Sequence, residues 1–354
     1  MIIRKFLIVF LLFTIQQVHA QTDSVKKFHF SGYAELYYSY DFSRPTNKEK
    51  PSFVYNHKRH DEINTNLILL KSTYQDNHFR ANIGLMAGNY SRYNLSAEPN
   101  WAKFIYEANV GFLLSKKQTI WIDAGVMPSH IGFESAISAD CWTLTRNILA
   151  ENSPYYESGI KIGYTNRQEN LNIAFLVLNG WQRMHIPSDF TKPSYGIQVN
   201  LKPSKHLTLN YSNFIGTALP DSLESFRTYH NFYLIYDSDQ KLGAIVGVDF
   251  GKENNFHNKH AFWYSPAFIL QYKPQKNTKL ALRGEYFNDN HEIIVPTINR
   301  SGFRVLGVST NIDYHFNRKI TSRLEGKLYL SKDRIFNNGQ MNTVYLSANT
   351  TIRL

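Results

Sequence analysis

Apolar and polar residues alternate one by one near the beginning of the chain. Over residues 28–40, Leu36 shares one face with other apolar and aromatic residues, whereas Glu35 lies on the opposite, polar face. Since successive side chains of a β-strand point to opposite sides, this alternation predicts a strand with one apolar and one polar face. The same pattern recurs at the end of the chain, in residues 320–331 and 343–354. Strands of similar pattern at the two ends can pair and close a sheet.

Thirteen further segments between these ends have the same features of a strand. They lie at residues 62–74, 79–90, 102–114, 119–127, 155–165, 171–181, 194–202, 206–216, 228–236, 242–250, 262–272, 279–289 and 302–316. The strands are about 9–14 residues long, and a tilted transmembrane strand needs roughly 9–11. Sixteen is an even number, which returns the end of the chain to the rim where it starts.

The connections between the predicted strands alternate strictly in length. Seven are compact polar turns, and eight have ten residues or more. The long ones are residues 42–61, 91–101, 128–154, 182–193, 217–227, 251–261, 290–301 and 332–341. A soluble two-sheet sandwich also alternates apolar and polar residues, but nothing in that fold makes its connections alternate in length. The sequence therefore predicts an all-β fold: a closed antiparallel transmembrane β-barrel of about 16 strands, with short periplasmic turns and long extracellular loops.

The first twenty residues have the features of a Sec signal peptide. Two basic residues precede a ten-residue apolar segment, residues 6–15, and small residues precede Gln21. Ten apolar residues are too few to cross a bilayer, and the pattern is that of a cleaved export signal. We expect residues 1–20 to be removed and residues 21–354 to form a single transmembrane barrel domain in the outer membrane.

The composition fits an exported barrel and excludes several other classes of protein. Aromatic residues make 15% of the chain and charged residues 19%, with a mean hydropathy of -0.38, which suits strands that show one face to lipid and the other to water. Without the signal peptide the net charge is +9, from 37 basic and 28 acidic residues. These charges are scattered and the chain is exported, so we expect no nucleic-acid partner. Cys141 is the only cysteine, which excludes an intramolecular disulfide and a cysteine-based metal site. No motif indicates a cofactor.

The longest connection, residues 128–154, is the candidate for a loop inside the barrel. It has 27 residues, and a sixteen-stranded barrel leaves an aqueous channel that such a loop either caps or enters. If the loop enters, it brings His130, Glu134, Asp140 and Arg146 to a constriction. The alternative is a surface loop that packs on its neighbours.

The polar faces of the strands carry ten ionisable residues that are candidates to line the lumen. They are Glu35, Arg80, Lys103, Glu107, Asp123, Arg283, Glu285, Arg323, Glu325 and Lys327. Five are basic and five are acidic, so the wall itself predicts little net selectivity. The excess positive charge then lies largely in loops and turns, where it contacts lipopolysaccharide phosphates or weakly favours anions.

Several segments, densest over residues 120–182, resemble a known family. They are FSGYAELYYSYD at residues 30–41, LMAG at 85–88, DAG at 123–125, GFESAISADCWTLTR at 132–146, AENSPYYESG at 150–159 and LNGWQ at 178–182. These segments look like the OmpL-like putative β-barrel porins of Bacteroidota. The resemblance implies an outer-membrane porin-type protein, inserted by the barrel-assembly machinery, but no particular substrate. General porins of this size are often homotrimers, and the sequence leaves the oligomeric state open.

The predicted function is passive diffusion of small hydrophilic solutes through the polar lumen, with a weak preference for anions. The alternative is a non-conducting barrel that acts as an adhesin or ligand receptor through its extracellular loops. An enzyme is not expected, because Ser129-His130 and Tyr229-His230-Asn231 do not have the spacing of a hydrolase motif.

Overall fold

Sixteen strands form one closed antiparallel sheet. The computed structural model describes residues 27–354 except 239, 257–258 and 298–299, so the predicted signal peptide, residues 1–20, lies outside the described residues. The strands are β1 (Phe28–Asp41), β2 (Ile63–Gln75), β3 (Phe79–Ala87), β4 (Ile105–Ser115), β5 (Ile120–Pro128), β6 (Tyr156–Thr165), β7 (Leu171–Leu178), β8 (Ser194–Ser204), β9 (Leu207–Gly216), β10 (Phe226–Asp237), β11 (Leu242–Phe256), β12 (Lys259–Gln275), β13 (Thr278–Asp289), β14 (Phe303–His315), β15 (Ile320–Ser331) and β16 (Asn342–Arg353). Each predicted strand corresponds to one of these, so the predicted barrel is confirmed.

The first and last strands close the sheet. β1 pairs with β2 on one side and with β16 on the other, with Ala34 opposite Ile352 and Tyr38 opposite Ala348. Every described strand therefore has hydrogen-bonded neighbours on both sides, and the described sheet has no free edge. Closure satisfies the backbone N–H and C=O groups within the sheet, which is what a bilayer interior requires.

β15 illustrates the two faces of the sheet. Leu324 and Leu330 are exposed on the outside, whereas Arg323, Glu325 and Lys327 alternate with the apolar residues and are buried on the inside. Leucine, isoleucine, valine and phenylalanine side chains of other strands are also exposed and extend this apolar face around the barrel. A closed sheet with an apolar outside and a polar inside suits a lipid environment.

The two rims of the barrel differ in their connections. Seven turns of two to five residues join strands at one rim, which we call the short-turn rim, where the last strand also ends. The opposite rim, the long-loop rim, carries the long connections and two short helices, α1 (Asn89–Asn94) and α2 (Ile148–Glu151). Three 3-10 helices lie there as well, at Ala102–Phe104, Asp221–Leu223 and Asn337–Gly339. A fourth, Ser138–Asp140, lies deeper in the barrel, beside Arg353 at the end of β16. In the part of the chain that the structure describes, no helix is long and apolar enough to cross a membrane.

The prediction of a long loop at residues 251–261 is wrong. β11 extends to Phe256 and β12 begins at Lys259, and the two strands pair within this range, with Lys252 opposite Phe262 and Glu253 opposite Ala261. The polar residues do not end the strand, because Glu253 lies on the inside face and forms an ion pair there with Arg227 on β10, at 2.6 Å.

Gly88 explains why β3 ends earlier than predicted. Its φ of 120° is a conformation that side chains rarely adopt. A Cβ at this position would lie 2.5 Å from the Asn66 carbonyl oxygen. The chain turns at this glycine into α1, whereas the sequence pattern predicted that the strand continues to residue 90.

A charge on the apolar face is expected to destabilise the barrel according to its depth in the lipid. Leu324→Arg, in the middle of β15, should lower the free energy of unfolding by about 2–4 kcal/mol. Ile352→Arg, on the same face near the short-turn rim, is the matched control and should cost about 0–1 kcal/mol. Chemical unfolding in lipid vesicles, followed by tryptophan fluorescence, measures both. Equal losses at the two positions would contradict a lipid-facing belt.

Candidate functional site

The loop between β5 and β6, residues 129–155, reaches inward-facing side chains on the far side of the barrel. The backbone N–H of Thr145 donates to Glu325 Oε2 on β15 at 2.5 Å. The N–H of Ile148, the first residue of α2, donates to Glu285 Oε2 on β13, also at 2.5 Å. Two carboxylates of the wall thus hold the backbone of this loop within the barrel.

Basic residues of the same wall bind the loop's carbonyl groups. Arg283 Nη1 donates to the Thr145 carbonyl oxygen at 2.7 Å, and Lys327 Nζ donates to the Arg146 carbonyl oxygen at 2.8 Å. Arg323 donates to further loop carbonyls from β15. Because buried backbone groups need partners, these side chains replace the water that an exposed loop would bind.

The charges that hold the loop also neutralise one another. Arg283 Nη2 lies 2.6 Å from Glu325 Oε1, and Lys327 Nζ lies 3.0 Å from Glu285 Oε1. All four side chains are almost completely buried. A buried charge without a partner is very unfavourable, so the loss of one member would leave another uncompensated.

Arg146 and Glu134 make contacts chiefly within the loop. The Arg146 guanidinium donates to the carbonyl oxygens of Leu144 at 3.0 Å and Ala136 at 2.8 Å, and it also reaches Ser135. These bonds tie the loop to itself.

Glu134 Oε2 accepts from the Asn147 N–H at 2.7 Å, while its other oxygen lies 3.8 Å from Arg283. Burial raises the pKa of the Glu134 carboxyl above its ordinary value, although Arg283 and Arg146 oppose this effect. Asn147 in turn caps α2, because its side chain accepts from the Ala150 N–H at 2.6 Å.

His130 anchors the start of the loop to the other side of the barrel. Its Nδ1 lies 2.6 Å from Glu157 Oε2 on β6, and its Nε2 lies 2.7 Å from the Asn213 carbonyl oxygen on β9. Both ring nitrogens therefore face acceptors. Burial disfavours the charged ring, but Glu157 and the carbonyl outweigh it and raise the pKa of His130. The ring can donate to both groups only in its protonated form.

Asp140 lies at the deepest part of the loop. It ends the 3-10 helix Ser138–Asp140, and its Oδ1 lies 2.5 Å from Arg353 Nη2 at the end of β16. About 44% of the Asp140 side chain is exposed. Of the four loop candidates, this carboxylate has the greatest contact with solvent.

A second loop, residues 42–62, also folds into the barrel and meets the first at Glu35 on β1. Glu35 Oε1 accepts from the Ser138 hydroxyl at 2.7 Å and lies 2.7 Å from His57 Nε2. The Asn349 amide on β16 donates to the same oxygen at 2.6 Å. A single buried carboxylate therefore joins both loops to the wall. Its partner His57 was not among the residues predicted from the sequence.

Two lysines of residues 42–62 are buried beneath the long-loop rim. Lys50 Nζ lies 4.8 Å from the centre of the Tyr345 ring, and burial lowers the pKa of Lys50 to about 7. Lys58 Nζ donates to the Pro51 carbonyl oxygen at 2.7 Å, and burial lowers the pKa of Lys58 to about 8. Part of the positive charge that was predicted to lie in loops and turns is thus buried inside the barrel.

The inner wall over β2 to β6 has a different character. Arg80 forms a two-pronged ion pair with Asp123, with Nε to Oδ1 and Nη2 to Oδ2 both at 2.6 Å. Lys161 lies 3.9 Å from the same carboxylate, and Lys71 lies 2.5 Å from Glu107.

The basic side chains are the accessible members of these pairs. Lys71, Arg80 and Lys161 are 30–32% exposed, whereas Glu107 and Asp123 are 3% and 4% exposed. We call these three cations the basic strip. Lys71 and Lys161 were missed among the sequence candidates, although both alternate with outward-facing apolar neighbours and the same period of two would have found them.

Lys103 is not on the wall of the barrel, contrary to the prediction. It lies in the 3-10 helix Ala102–Phe104, and β4 begins only at Ile105. The chain turns after Pro99, whose carbonyl accepts from the Ala102 N–H at 2.9 Å. Lys103 Nζ contacts Asn100 Oδ1 at 3.4 Å at the long-loop rim.

Comparison with protein families identifies one family over nearly all of the chain. A family model described as "Putative beta-barrel porin-2, OmpL-like" matches residues 27–354, which confirms the family resemblance seen in the sequence. Among curated protein sequences there is no significant match.

Solved structures with a similar fold include a porin and other outer-membrane proteins. The anion-selective porin from Comamonas acidovorans has a TM-score of 0.64 and 8% identity, covering 92% of this chain and 99% of that chain. OmpF of Salmonella typhi, in a complex with daunomycin, has a TM-score of 0.57 and 9% identity, covering 92% and 97%. In-vitro folded OmpT of Vibrio cholerae has a TM-score of 0.55 and 9% identity, covering 92% and 97%. At these identities the likeness shows the fold alone.

Removing one carboxylate from the buried network is expected to loosen residues 129–155. Glu325→Gln takes the charged acceptor from Thr145 and the ionic partner from Arg283. Charge-assisted hydrogen bonds contribute about 1.5–3 kcal/mol, so amide exchange of the peptide around Thr145 should accelerate at least about tenfold. Hydrogen exchange followed by mass spectrometry measures this.

Glu62→Gln is the control for that measurement. Glu62 pairs with Arg59 at the long-loop rim, and both side chains are partly exposed, so its loss should leave exchange around Thr145 unchanged. Equal protection in Glu325→Gln and the unaltered protein would contradict the role of Glu325 in holding the loop.

Proposed function

Because the chain belongs to the OmpL-like β-barrel porin-2 family, we propose that it is an outer-membrane porin through which small hydrophilic solutes diffuse passively. The observation that carries this proposal is the unequal filling of the barrel. Loop residues 129–155 bind side chains of β13 to β16 and β1. Along β2 to β8, by contrast, inward-facing polar side chains are partly exposed, namely Lys71, Arg80, Asn82, Lys161 and Asn200. The solute path runs along this open wall.

The basic strip supports a weak anion preference. Its three cations are partly exposed, and the two carboxylates that they contact are buried behind them. A solute on the open wall thus meets more positive than negative charge, and charges at close range select ions in a narrow aqueous path. The paired charges of β13 and β15 contribute little, because each is neutralised within the loop contacts.

The predicted constriction residues have different roles in this proposal. Asp140 borders the water path near the short-turn rim. His130, Glu134 and Arg146 act indirectly, because they hold the loop in the position that sets the width of the path.

The membrane context completes the proposal. A Sec signal exports the chain, the barrel-assembly machinery inserts it, and the long-loop rim faces the outside. Exposed apolar side chains contact lipid, basic residues of the loops contact lipopolysaccharide phosphates, and three copies associate as a homotrimer. We propose no catalytic role.

A second candidate function is a non-conducting receptor or adhesin. The observation that favours it is the extent of burial in the lumen, where Glu35, Arg146 and Arg283 are fully buried by two inserted loops. Such a barrel would bind partners through its long-loop rim without passing solutes.

Single-channel recording separates the two candidates. Purified protein in a planar bilayer should produce reproducible conductance steps that grow with KCl concentration, because the open wall holds water. Folded protein is verified first by the shift in gel migration between boiled and unboiled samples. Folded, inserted protein without any steps would contradict the porin and favour the receptor.

The basic strip gives the selectivity a specific test. Lys161→Gln removes an exposed cation while Arg80 stays paired with Asp123, so the reversal potential in a KCl gradient should shift toward cation preference. Lys276→Gln removes an exposed charge from the turn between β12 and β13 and should shift the reversal potential much less. Cation preference of the unaltered channel, or equal shifts in both variants, would contradict the assignment.

A further inference from the structure

A cavity opens at the centre of the long-loop rim. It has a volume of about 340 Å³ and is built by six connections, which contribute Tyr55, Asn94, Glu151, Trp181, Leu219 and Ile294 among others. We call it the mouth cavity. Its volume lies at the lower end of the range for small-molecule sites, roughly 300–1,000 Å³.

Two residues of the mouth cavity have unsatisfied donors. Within the part of the chain that the structure describes, Asn94 Nδ2 and Arg183 Nη1 are shielded from bulk solvent and have no hydrogen-bond partner. Gln182 holds the two residues near each other, because its Nε2 donates to the Asn94 carbonyl oxygen at 3.1 Å. An unsatisfied buried donor costs about 1–3 kcal/mol. A ligand whose oxygen acceptors reach these donors would remove this cost.

The cavity wall also contains a carboxylate acceptor, Glu151. Glu151 Oε2 accepts from the backbone N–H groups of Tyr55 and Asn56, at 2.9 and 3.1 Å. Among the hydrogen bonds of the described residues, none reaches Glu151 Oε1. The ligand should therefore be able to donate as well as accept hydrogen bonds.

Trp181 provides a fixed aromatic surface in the cavity wall. Its ring packs edge-on against Phe214 and Tyr229, each with ring centres 5.0 Å apart. The Arg227 guanidinium lies 4.8 Å from the ring centre and is itself paired with Glu253. Rigid aromatic side chains combine an apolar surface with low conformational cost.

The charges around the cavity disfavour an anionic ligand. The carboxylates of Glu98 and Asp189 act electrostatically on Arg183, Arg227 is neutralised by Glu253, and Glu151 lies in the wall. The cavity thus has hydrogen-bonding groups of both kinds and an aromatic platform, without excess positive charge.

We propose that the mouth cavity binds a neutral mono- or disaccharide. Hydroxyl oxygens of the sugar accept from Asn94 and Arg183, a hydroxyl group donates to Glu151, and the apolar face of a pyranose ring contacts the aromatic wall. This inference deepens the proposed function by naming the solute class. It rests on the same barrel, but equilibrium binding does not require the barrel to conduct.

Isothermal titration calorimetry on the folded barrel tests this proposal. The protein is kept in a detergent without a sugar headgroup, and the probes are glucose, galactose, mannose, maltose and cellobiose, with glucuronate as the anionic comparison. At least one neutral sugar should bind saturably, and more tightly than glucuronate. Failure of all five neutral sugars, or tighter binding of glucuronate, would overturn the proposal.

Variants of the unsatisfied donors locate the site. The double substitution Asn94→Ala and Arg183→Met should weaken sugar binding at least about tenfold, which corresponds to the loss of one or two hydrogen bonds. Arg318→Met, in the exposed turn at the opposite rim, is the matched control and should leave affinity unchanged. Equal affinity in the double variant and the control, with both folded by gel shift, would overturn the assignment.

The outcome is distinguishable from that of the channel recordings. Sugar binding without conductance steps would support this site on a receptor and contradict the porin. Conductance steps without sugar binding would overturn the saccharide site and leave the porin intact.

Discussion

A closed sheet of sixteen strands encloses more space than its own side chains can fill, and the remaining structure depends on how this space is used. Here two connections, residues 42–62 and 129–155, fold inside. Their backbone amides and carbonyls leave bulk water, so each needs a partner of the opposite kind. The inward faces of β13 and β15 provide these partners as alternating acids and bases, with Glu285 and Glu325 for the N–H groups and Arg283 and Lys327 for the carbonyls.

Because the charges on β13 and β15 bind the inserted loops, they contribute little to ion selectivity. Charges that bind a buried loop and one another are neutralised locally, so counting acids and bases along the strands does not give the field in the water path. The basic strip is different, because its cations remain partly exposed while their carboxylate partners are buried. The same barrel wall therefore has one half whose charges hold the inserted loops and another whose cations remain partly exposed.

The fold follows from the sequence to a large extent, because period-two alternation is a local signal that needs no knowledge of distant contacts. The alternation predicted the wrong strand ends at two places. Gly88 ends β3 early. The inward pairing of Glu253 with Arg227 lets β11 extend into a polar segment. The loop contacts were not predictable, since His57 and Glu35 on β1 meet only when residues 42–62 fold into the barrel interior. Lys161, in contrast, obeys the alternation and was accessible to sequence reasoning.

The lumen and the mouth cavity share a structural element, so the proposed sugar site is connected to the inserted loop. α2 is only four residues long, yet its first residue, Ile148, is held by Glu285 inside the barrel, and its last, Glu151, forms part of the cavity wall. A displacement of the loop that widens the lumen must therefore move the acceptor that faces the cavity. Because coupling between two sites is reciprocal, a ligand that fixes Glu151 also stabilises the inserted position of the loop. The buried ionic network thus contributes to the shape of the entrance as well as to the filling of the barrel.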